Sequence, residues 1–114
     1  MTSCLFCKIV NGTIPADIIY NDGDVLAFRD IAPKAPHHIL VIPKQHLKNV
    51  LGLTEEHARL MVQLFAAIDR ISKELGVSDS GFRIVTNTGE NAGQTVDHLH
   101  FHLLAGRSFS WPPG

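Results

Sequence analysis

The chain has 114 residues, 45% of them hydrophobic, and its 10 basic and 11 acidic residues give a formal net charge of −1. This balance excludes a bulk electrostatic attraction to nucleic acid or to an anionic membrane surface. Length and composition predict a single domain over residues 1–114 whose partner is a small molecule or another protein.

The N-terminal residues and the cysteines predict a compartment. Residues 1–12 lack the basic and long apolar segments of a secretory signal peptide, and no apolar run reaches the roughly 18 residues of a membrane helix. We therefore expect a cytoplasmic protein. Both cysteines lie in one CLFC motif, Cys4 to Cys7. In a reducing compartment that spacing indicates metal binding or redox chemistry rather than a structural disulfide.

The first half of the chain predicts a short helix and three strands. Apolar residues at helical spacing predict the helix over residues 4–11. Residues 17–20 and 25–29 are typical of strands, and the Asp-Gly step within residues 21–24 favours a hairpin between them. The apolar run 38–42, bounded by prolines, predicts a buried central strand.

The second half predicts one long helix followed by two strands. Thr54 is a candidate cap for a helix that ends at Gly76 and carries an apolar stripe: Met61, Leu64, Phe65, Ile68, Ile71 and Leu75. Residues 82–86 alternate as a strand, and a polar loop leads to a final strand that holds three histidines. Hairpin strands with a segregated helix predict an α+β domain built on a five-stranded antiparallel sheet.

The segment TVDHLHFHLLAG places a histidine at every second position. On a strand, His98, His100 and His102 would share one face, while the apolar residues between them pack on the core. The pattern leaves three interpretations open: a solvated polar face, a metal site built on the HxH pairs, and nucleophilic or acid–base catalysis by imidazole.

The CLFC motif bears on this choice because two thiolates can bind one zinc ion. A tetrahedral structural site needs two further ligands, and the candidates are His46 and one member of the histidine strand. The competing interpretation is a pair of reduced core thiols.

Other residues indicate a nucleotide. Glycines in the loop 87–95 leave backbone N–H groups open to a phosphate, and Asp30 could accept two ribose hydroxyls. An apolar slot for a planar base could form from Leu5, Phe6, Ile9 and Ile14. An ordinary polar loop, a turn carboxylate and core packing are the alternatives.

Four blocks together carry a family resemblance: HLHFHLL, FRDIAPKAPHHILVIPKQH, NTGENAGQTV and GRSFSWPPG. From Cys4 to Gly114 the chain resembles the histidine-triad (HIT) superfamily, in particular its nucleotide-binding Hint branch. The resemblance implies a dimer that pairs the long helix and the sheet-edge strand across a two-fold axis. It also implies hydrolysis of purine nucleoside 5′-phosphoramidates or aminoacyl adenylates through a nucleotidylated histidine.

By this resemblance each candidate residue has a role. His100 is the nucleophile, His102 contacts the phosphate and the leaving group, and His38 belongs to a proton relay, although the adjacent His37 competes for that place. Asp30 binds the ribose. Phosphate and leaving-group contacts fall on Asn87, Gly93, Gln94 and Thr95, and base contacts on Leu5, Phe6, Ile9, Ile14 and Ile31. Trp111 would reach the active site of a partner subunit.

The resemblance to zinc-containing members implies a structural zinc held by Cys4, Cys7, His46 and His98, with no metal required for the chemistry. Three rival interpretations remain: a dinucleoside polyphosphate hydrolase, a nucleotide-binding scaffold with incidental catalysis, and a catalytic metal bound jointly by the three histidines of the final strand.

Overall fold

In the computed structural model, which describes residues 3–114, five antiparallel strands form one sheet in the order β1-β2-β3-β5-β4. The elements along the chain are α1 (Leu5–Val10), β1 (Ile18–Asn21), β2 (Val25–Arg29), β3 (His37–Pro43), α2 (Ala58–Glu74), β4 (Phe82–Val85) and β5 (Phe101–Ala105). The predicted α+β class, with its sheet, its one long helix and its short N-terminal helix, is confirmed. The predicted unit 1–114 includes Met1 and Thr2, which lie outside the described residues.

The sheet is covered on both faces, which explains the uninterrupted apolar run in β3. Successive strand residues point to opposite sides. Ile39 and Val41 belong to the core that packs under α2, whereas Leu40 and Ile42 belong to a second core with Phe6 of α1. The second core therefore holds α1 against the face of the sheet opposite α2.

The long helix begins later than the sequence predicts. Thr54 does cap, because its hydroxyl accepts the Glu56 N–H at 3.3 Å and its own N–H donates to Nδ1 of His57 at 3.0 Å. A 3-10 turn over Glu55–His57 follows, so the regular α-helix starts at Ala58. Within the described part of the chain, no helix is long and apolar enough to cross a membrane.

The predicted histidine strand is wrong in its extent. β5 begins at Phe101, so His98 and His100 precede it and only His102 lies on the strand. The ladder with β3 starts at the pair Val41–Phe101, and Pro43 further along β3 has no N–H to continue it. The predicted division of faces nevertheless holds, because Leu99, Phe101 and Leu103 are all buried in the core under α2.

A tight approach between two loops gives a testable prediction. Gly106 has φ +94°, and a Cβ there would lie 2.8 Å from Cβ of Pro36. Gly106→Ala is therefore expected to lower the free energy of unfolding by about 1–3 kcal/mol in urea denaturation. Gly12→Ala is the control, since Gly12 also has positive φ (+82°) but has open space around it. Equal losses in the two variants would contradict the role of the Pro36 contact.

Candidate active site and metal cluster

Four sulfur and nitrogen ligand atoms converge beside α1. Sγ of Cys4 lies 3.3 Å from Nδ1 of His98, and Sγ of Cys7 lies 3.3 Å from Nδ1 of His46. The two Nδ1 atoms are themselves 3.3 Å apart. The ligand atoms of all four residues lie within 4.8 Å of one another, so the structure brings together the four residues of the predicted zinc site.

The geometry of this cluster fits a tetrahedral metal ion. Bonds of about 2.3 Å to sulfur and about 2.05 Å to nitrogen separate a sulfur from a nitrogen by about 3.6 Å and two nitrogens by about 3.3 Å. Nε2 of His98 donates to the Pro43 carbonyl at 2.8 Å, which leaves its Nδ1 lone pair directed at the thiols. The cluster could therefore hold a metal ion.

The same cysteines begin α1. Sγ of Cys4 accepts the Cys7 N–H at 3.2 Å as the helix N-cap. With six residues, α1 is too short to be stable without tertiary contacts. Its buried residues, Phe6 and Ile9, pack into the second core. The cluster and this core together hold α1 in place.

His100 is buried beside the cluster, and its unprotonated nitrogen is determined by a backbone contact. Its Nδ1 lies 2.7 Å from the His98 carbonyl oxygen. A carbonyl only accepts, so Nδ1 carries the proton and Nε2 of the neutral ring keeps a free lone pair. The ring of Phe6 meets that of His100 edge-on at 5.1 Å, and the Thr86 hydroxyl donates to the His100 carbonyl at 2.8 Å. Such an imidazole is suited to nucleophilic attack.

Hydrogen bonds also determine which ring nitrogens of His38 and His102 carry a proton. The Lys34 N–H donates to Nδ1 of His38 at 3.0 Å, so the proton of the neutral His38 ring is on Nε2. That Nε2 lies 2.8 Å from Nδ1 of His102, which must accept, and the proton of a neutral His102 is then on its Nε2. Oδ2 of Asp30 lies 3.5 Å from Nε2 of His38. His38 therefore faces this site, and the adjacent His37 points to the opposite side of β3.

Burial keeps these two histidines neutral near pH 7. Burial lowers the pKa of His102 to about 4, and the charges of His100 and His38 act in the same direction. Burial likewise lowers the pKa of His38, although the carboxylate of Asp30 opposes it.

The lowered pKa of His102 predicts acid-sensitive stability. Between its ordinary value of 6.5 and about 4, the unfolded chain binds a proton at His102 that the folded chain does not bind. The free energy of unfolding should therefore fall as the pH falls from 6.5 towards 4. In urea titrations His102→Gln should show a shallower fall over this window, because glutamine does not titrate. Parallel curves for the variant and the wild type would contradict this prediction.

A pocket of about 270 Å³ opens beside His100 and His102. Its apolar wall contains all five residues predicted for the base: Leu5, Phe6, Ile9, Ile14 and Ile31. Asp30 and Thr95 also line it, and Ile31 is fully exposed at its rim. The structure thus brings the predicted base, ribose and histidine groups to one cavity.

Sequence reasoning missed part of this wall. Phe28, Leu40, Ala16 and Val96 also line the pocket. Phe28 lies two residues before Asp30, so strand alternation places both on one face and could have found it. Lys34 and Pro43 act through backbone groups, for which the sequence carries no signal.

Four residues that were predicted to contact the nucleotide do not line this pocket: Asn87, Gly93, Gln94 and Trp111. Gly93 and Gln94 line a different pocket of about 620 Å³. The Gln94 amide is engaged within the protein: Oε1 accepts the Gly89 N–H at 2.9 Å and Nε2 donates to the Lys48 carbonyl at 2.8 Å. Asn87 is half-buried just beyond β4, and Trp111 is 83% exposed in the C-terminal segment. Thr95 lines both pockets.

The chain is similar to known proteins over nearly its whole length. A family model described as HIT domain matches residues 11–109. An uncharacterized HIT-like protein of Synechococcus elongatus is 54% identical over 110 residues, covering 96% of each chain. A solved HIT family hydrolase from Legionella pneumophila has a TM-score of 0.96 at 42% identity, over 98% of this chain and 100% of that chain. A histidine triad nucleotide-binding protein from Candida albicans has a TM-score of 0.81 at 31% identity, over 96% and 83% of the two chains.

Proposed function

The chain belongs to the HIT family, and we propose that it is a hydrolase of the Hint branch. Its reaction is cleavage of the P–N bond of purine nucleoside 5′-phosphoramidates, and of the corresponding bond in aminoacyl adenylates, with release of AMP or GMP. Similarity to proteins named HIT family hydrolase and histidine triad nucleotide-binding protein supports this class.

The observation that carries the proposal is the buried His100, whose Nδ1 contacts the His98 carbonyl and which lines the same pocket of about 270 Å³ as Asp30 and the apolar wall. Nε2 of His100 attacks the α-phosphorus and the P–N bond breaks. The nucleoside monophosphate remains on His100 until water attacks the same phosphorus and releases it. Two displacements replace one difficult step.

The departing amine needs a proton, because an amide anion is a very poor leaving group. The proton of the neutral His102 is on Nε2, and this N–H gives it to the amine as the P–N bond breaks. In the second step Nε2 of His102 regains a proton from the attacking water. His38 keeps Nδ1 of His102 occupied at 2.8 Å, so the exchanged proton stays on Nε2.

The remaining predicted contacts belong to this proposal. Asp30, which lines the pocket, binds the ribose, and Thr95 contacts the phosphate or the leaving group. Gly93 and Gln94 stay proposed phosphate and leaving-group contacts. Their backbone N–H groups donate to the Glu90 and Gly89 carbonyls at 3.0 and 3.1 Å, so these contacts require the loop 87–95 to exchange hydrogen bonds. Asn87 is proposed to contact the phosphate or the leaving group.

We further propose that the four-residue cluster holds zinc. Two sulfur and two nitrogen donors suit zinc, and four protein ligands leave no coordination position for substrate. The ion supplies rigidity to α1 and His98. No metal is required for the chemistry. A catalytic metal shared by His98, His100 and His102 is disfavoured, because both ring nitrogens of His98 face other partners.

The proposed assembly is a homodimer in the cytoplasm, without nucleic acid or membrane as partner. Apolar side chains exposed on α2 and on the edge strand β4 support the dimer. The exposed fractions are 68% for Val62, 48% for Phe65 and 37% for Phe82. Trp111 would extend from one subunit to the other's active site. The decisive test of the function is whether an AMP adduct forms on the wild type and is absent from His100→Ala.

A further inference from the structure

The tautomer of His38 depends on the loop between β2 and β3. The Lys34 N–H in this loop donates to Nδ1 of His38 at 3.0 Å, which keeps the His38 proton on Nε2, facing His102. Lys34 itself is exposed, so its side chain is not packed in the core to hold this loop in position.

That contact comes from the segment after β5. The Arg107 guanidinium donates to the Lys34 carbonyl from Nη2 at 3.0 Å and from Nε at 3.3 Å. Two bonds from a planar group to one oxygen fix its direction better than a single ammonium contact does. Arg107 is held in turn by its Nη1 bond to the Ser108 carbonyl at 3.0 Å and by the Phe109 ring, whose centroid lies 4.2 Å away.

We propose that Arg107 is a positioning residue for the reaction, acting through the Lys34 backbone on the tautomer of His38 and hence on the proton-bearing nitrogen of His102. The inference rests on the proposed function. Lys34 is fixed at its carbonyl by Arg107 and presents its N–H to His38. Without the clamp, the loop is free to turn this N–H away.

The hydrogen bond between His38 and His102 connects the Lys34 contact to the leaving-group proton. If His38 loses the Lys34 donor, its proton can move to Nδ1, and Nε2 then meets Nδ1 of His102 as a second acceptor. His102 must respond by carrying its own proton on Nδ1, which removes the proton from the nitrogen that serves the leaving group. Arg107 is outside the lining of the nucleotide pocket, so substrate binding should change little.

Arg83 provides a matched control. Its guanidinium also lies over the Phe109 ring, at 5.2 Å from the centroid, and it donates to the Ser110 carbonyl at 2.8 Å. It therefore contacts the same C-terminal segment as Arg107 without contacting Lys34. Any general effect of loosening this segment should appear in both variants.

The experiment compares Arg107→Gln, Arg107→Lys and Arg83→Gln with the wild type. Turnover of adenosine 5′-phosphoramidate gives kcat and KM, and ¹⁵N NMR of histidine-labelled protein reports the tautomer of His38. A positioned acid–base group contributes about 10²–10⁴-fold, so we expect Arg107→Gln to lower kcat by about tenfold while KM stays within about twofold. His38 should lose its single tautomer. Arg107→Lys should restore part of kcat, and Arg83→Gln should match the wild type.

An unchanged His38 tautomer in Arg107→Gln would overturn the inference, as would equal losses of kcat in Arg107→Gln and Arg83→Gln. Should Arg107→Gln not fold, Arg107→Lys supplies the same comparison. If the wild type neither turns over the phosphoramidate nor forms an adduct, the proposed function fails, and the NMR comparison alone decides whether Arg107 orders His38.

Discussion

His100→Ala is expected to abolish the covalent nucleotide adduct and to lower turnover of adenosine 5′-phosphoramidate by about 10³-fold or more. The alanine variant lacks the Nε2 lone pair that the His98 carbonyl leaves free. AMP affinity should stay within about fivefold, because the apolar wall and Asp30 are untouched.

The adduct is measured by mass spectrometry of the intact protein, denatured without acid immediately after mixing with excess substrate. The wild type should gain the mass of one AMP. His37→Ala is the matched control. It removes the histidine next to His38, whose side chain points to the side of β3 away from the site. It should form the adduct and turn over like the wild type, whereas His100→Ala should do neither.

The rival functions predict other results. Equal slow turnover in the wild type and His100→Ala would identify a nucleotide-binding module with incidental catalysis. Normal turnover with no adduct at any quenching time would favour direct attack by water. Faster hydrolysis of a dinucleoside polyphosphate than of the phosphoramidate would favour the other activity considered within the superfamily.

Cys7→Ser should have the second large effect, because a hydroxyl is a poor substitute for a thiolate on zinc. We expect loss of bound zinc, a decrease of about 3–5 kcal/mol in the free energy of unfolding and at least about tenfold weaker AMP binding. The affinity should fall because α1 carries Phe6 and Ile9 into the pocket and is held by the cluster.

Metal content by elemental mass spectrometry, urea denaturation and calorimetric titration with AMP measure these three effects. Ser3→Ala is the control, since it changes an exposed residue next to Cys4 that is outside the cluster. Removal of zinc from the wild type by a chelator should reproduce the Cys7→Ser result. Adding zinc back to the chelated wild type should restore its stability and its AMP affinity. Unchanged AMP affinity in the metal-free protein would refute the coupling to α1. Loss of turnover on chelation with full stability would favour a catalytic metal.

Much of the fold could be predicted, because helices and strands place their buried residues at regular spacings that are visible in the sequence. The alternation around His100 assigned Leu99, Phe101 and Leu103 to the core, although regular strand begins only at Phe101. The apolar stripe of α2 follows from the helical period of 3.6 residues, whereas the continuous apolar run of β3 follows from the burial of both alternating faces of that strand. The resemblance carried by the four sequence blocks assigned candidate roles, which stay predictions for individual residues.

Residue types and local periodicity are enough to show which side chains could do chemistry and which faces they share. The folded chain is needed to show that His38 rather than His37 meets His102, that the Gln94 side chain bonds to Gly89 in its own loop, and that Arg107 contacts Lys34. His38 and His102 are separated by 64 residues in the chain, and the contact from Arg107 to Lys34 spans 73. Local periodicity carries no information across such distances. The groups that order His38, His98 and His100 are a backbone N–H and two carbonyls, which nearly every residue possesses, so only the folded chain selects among them.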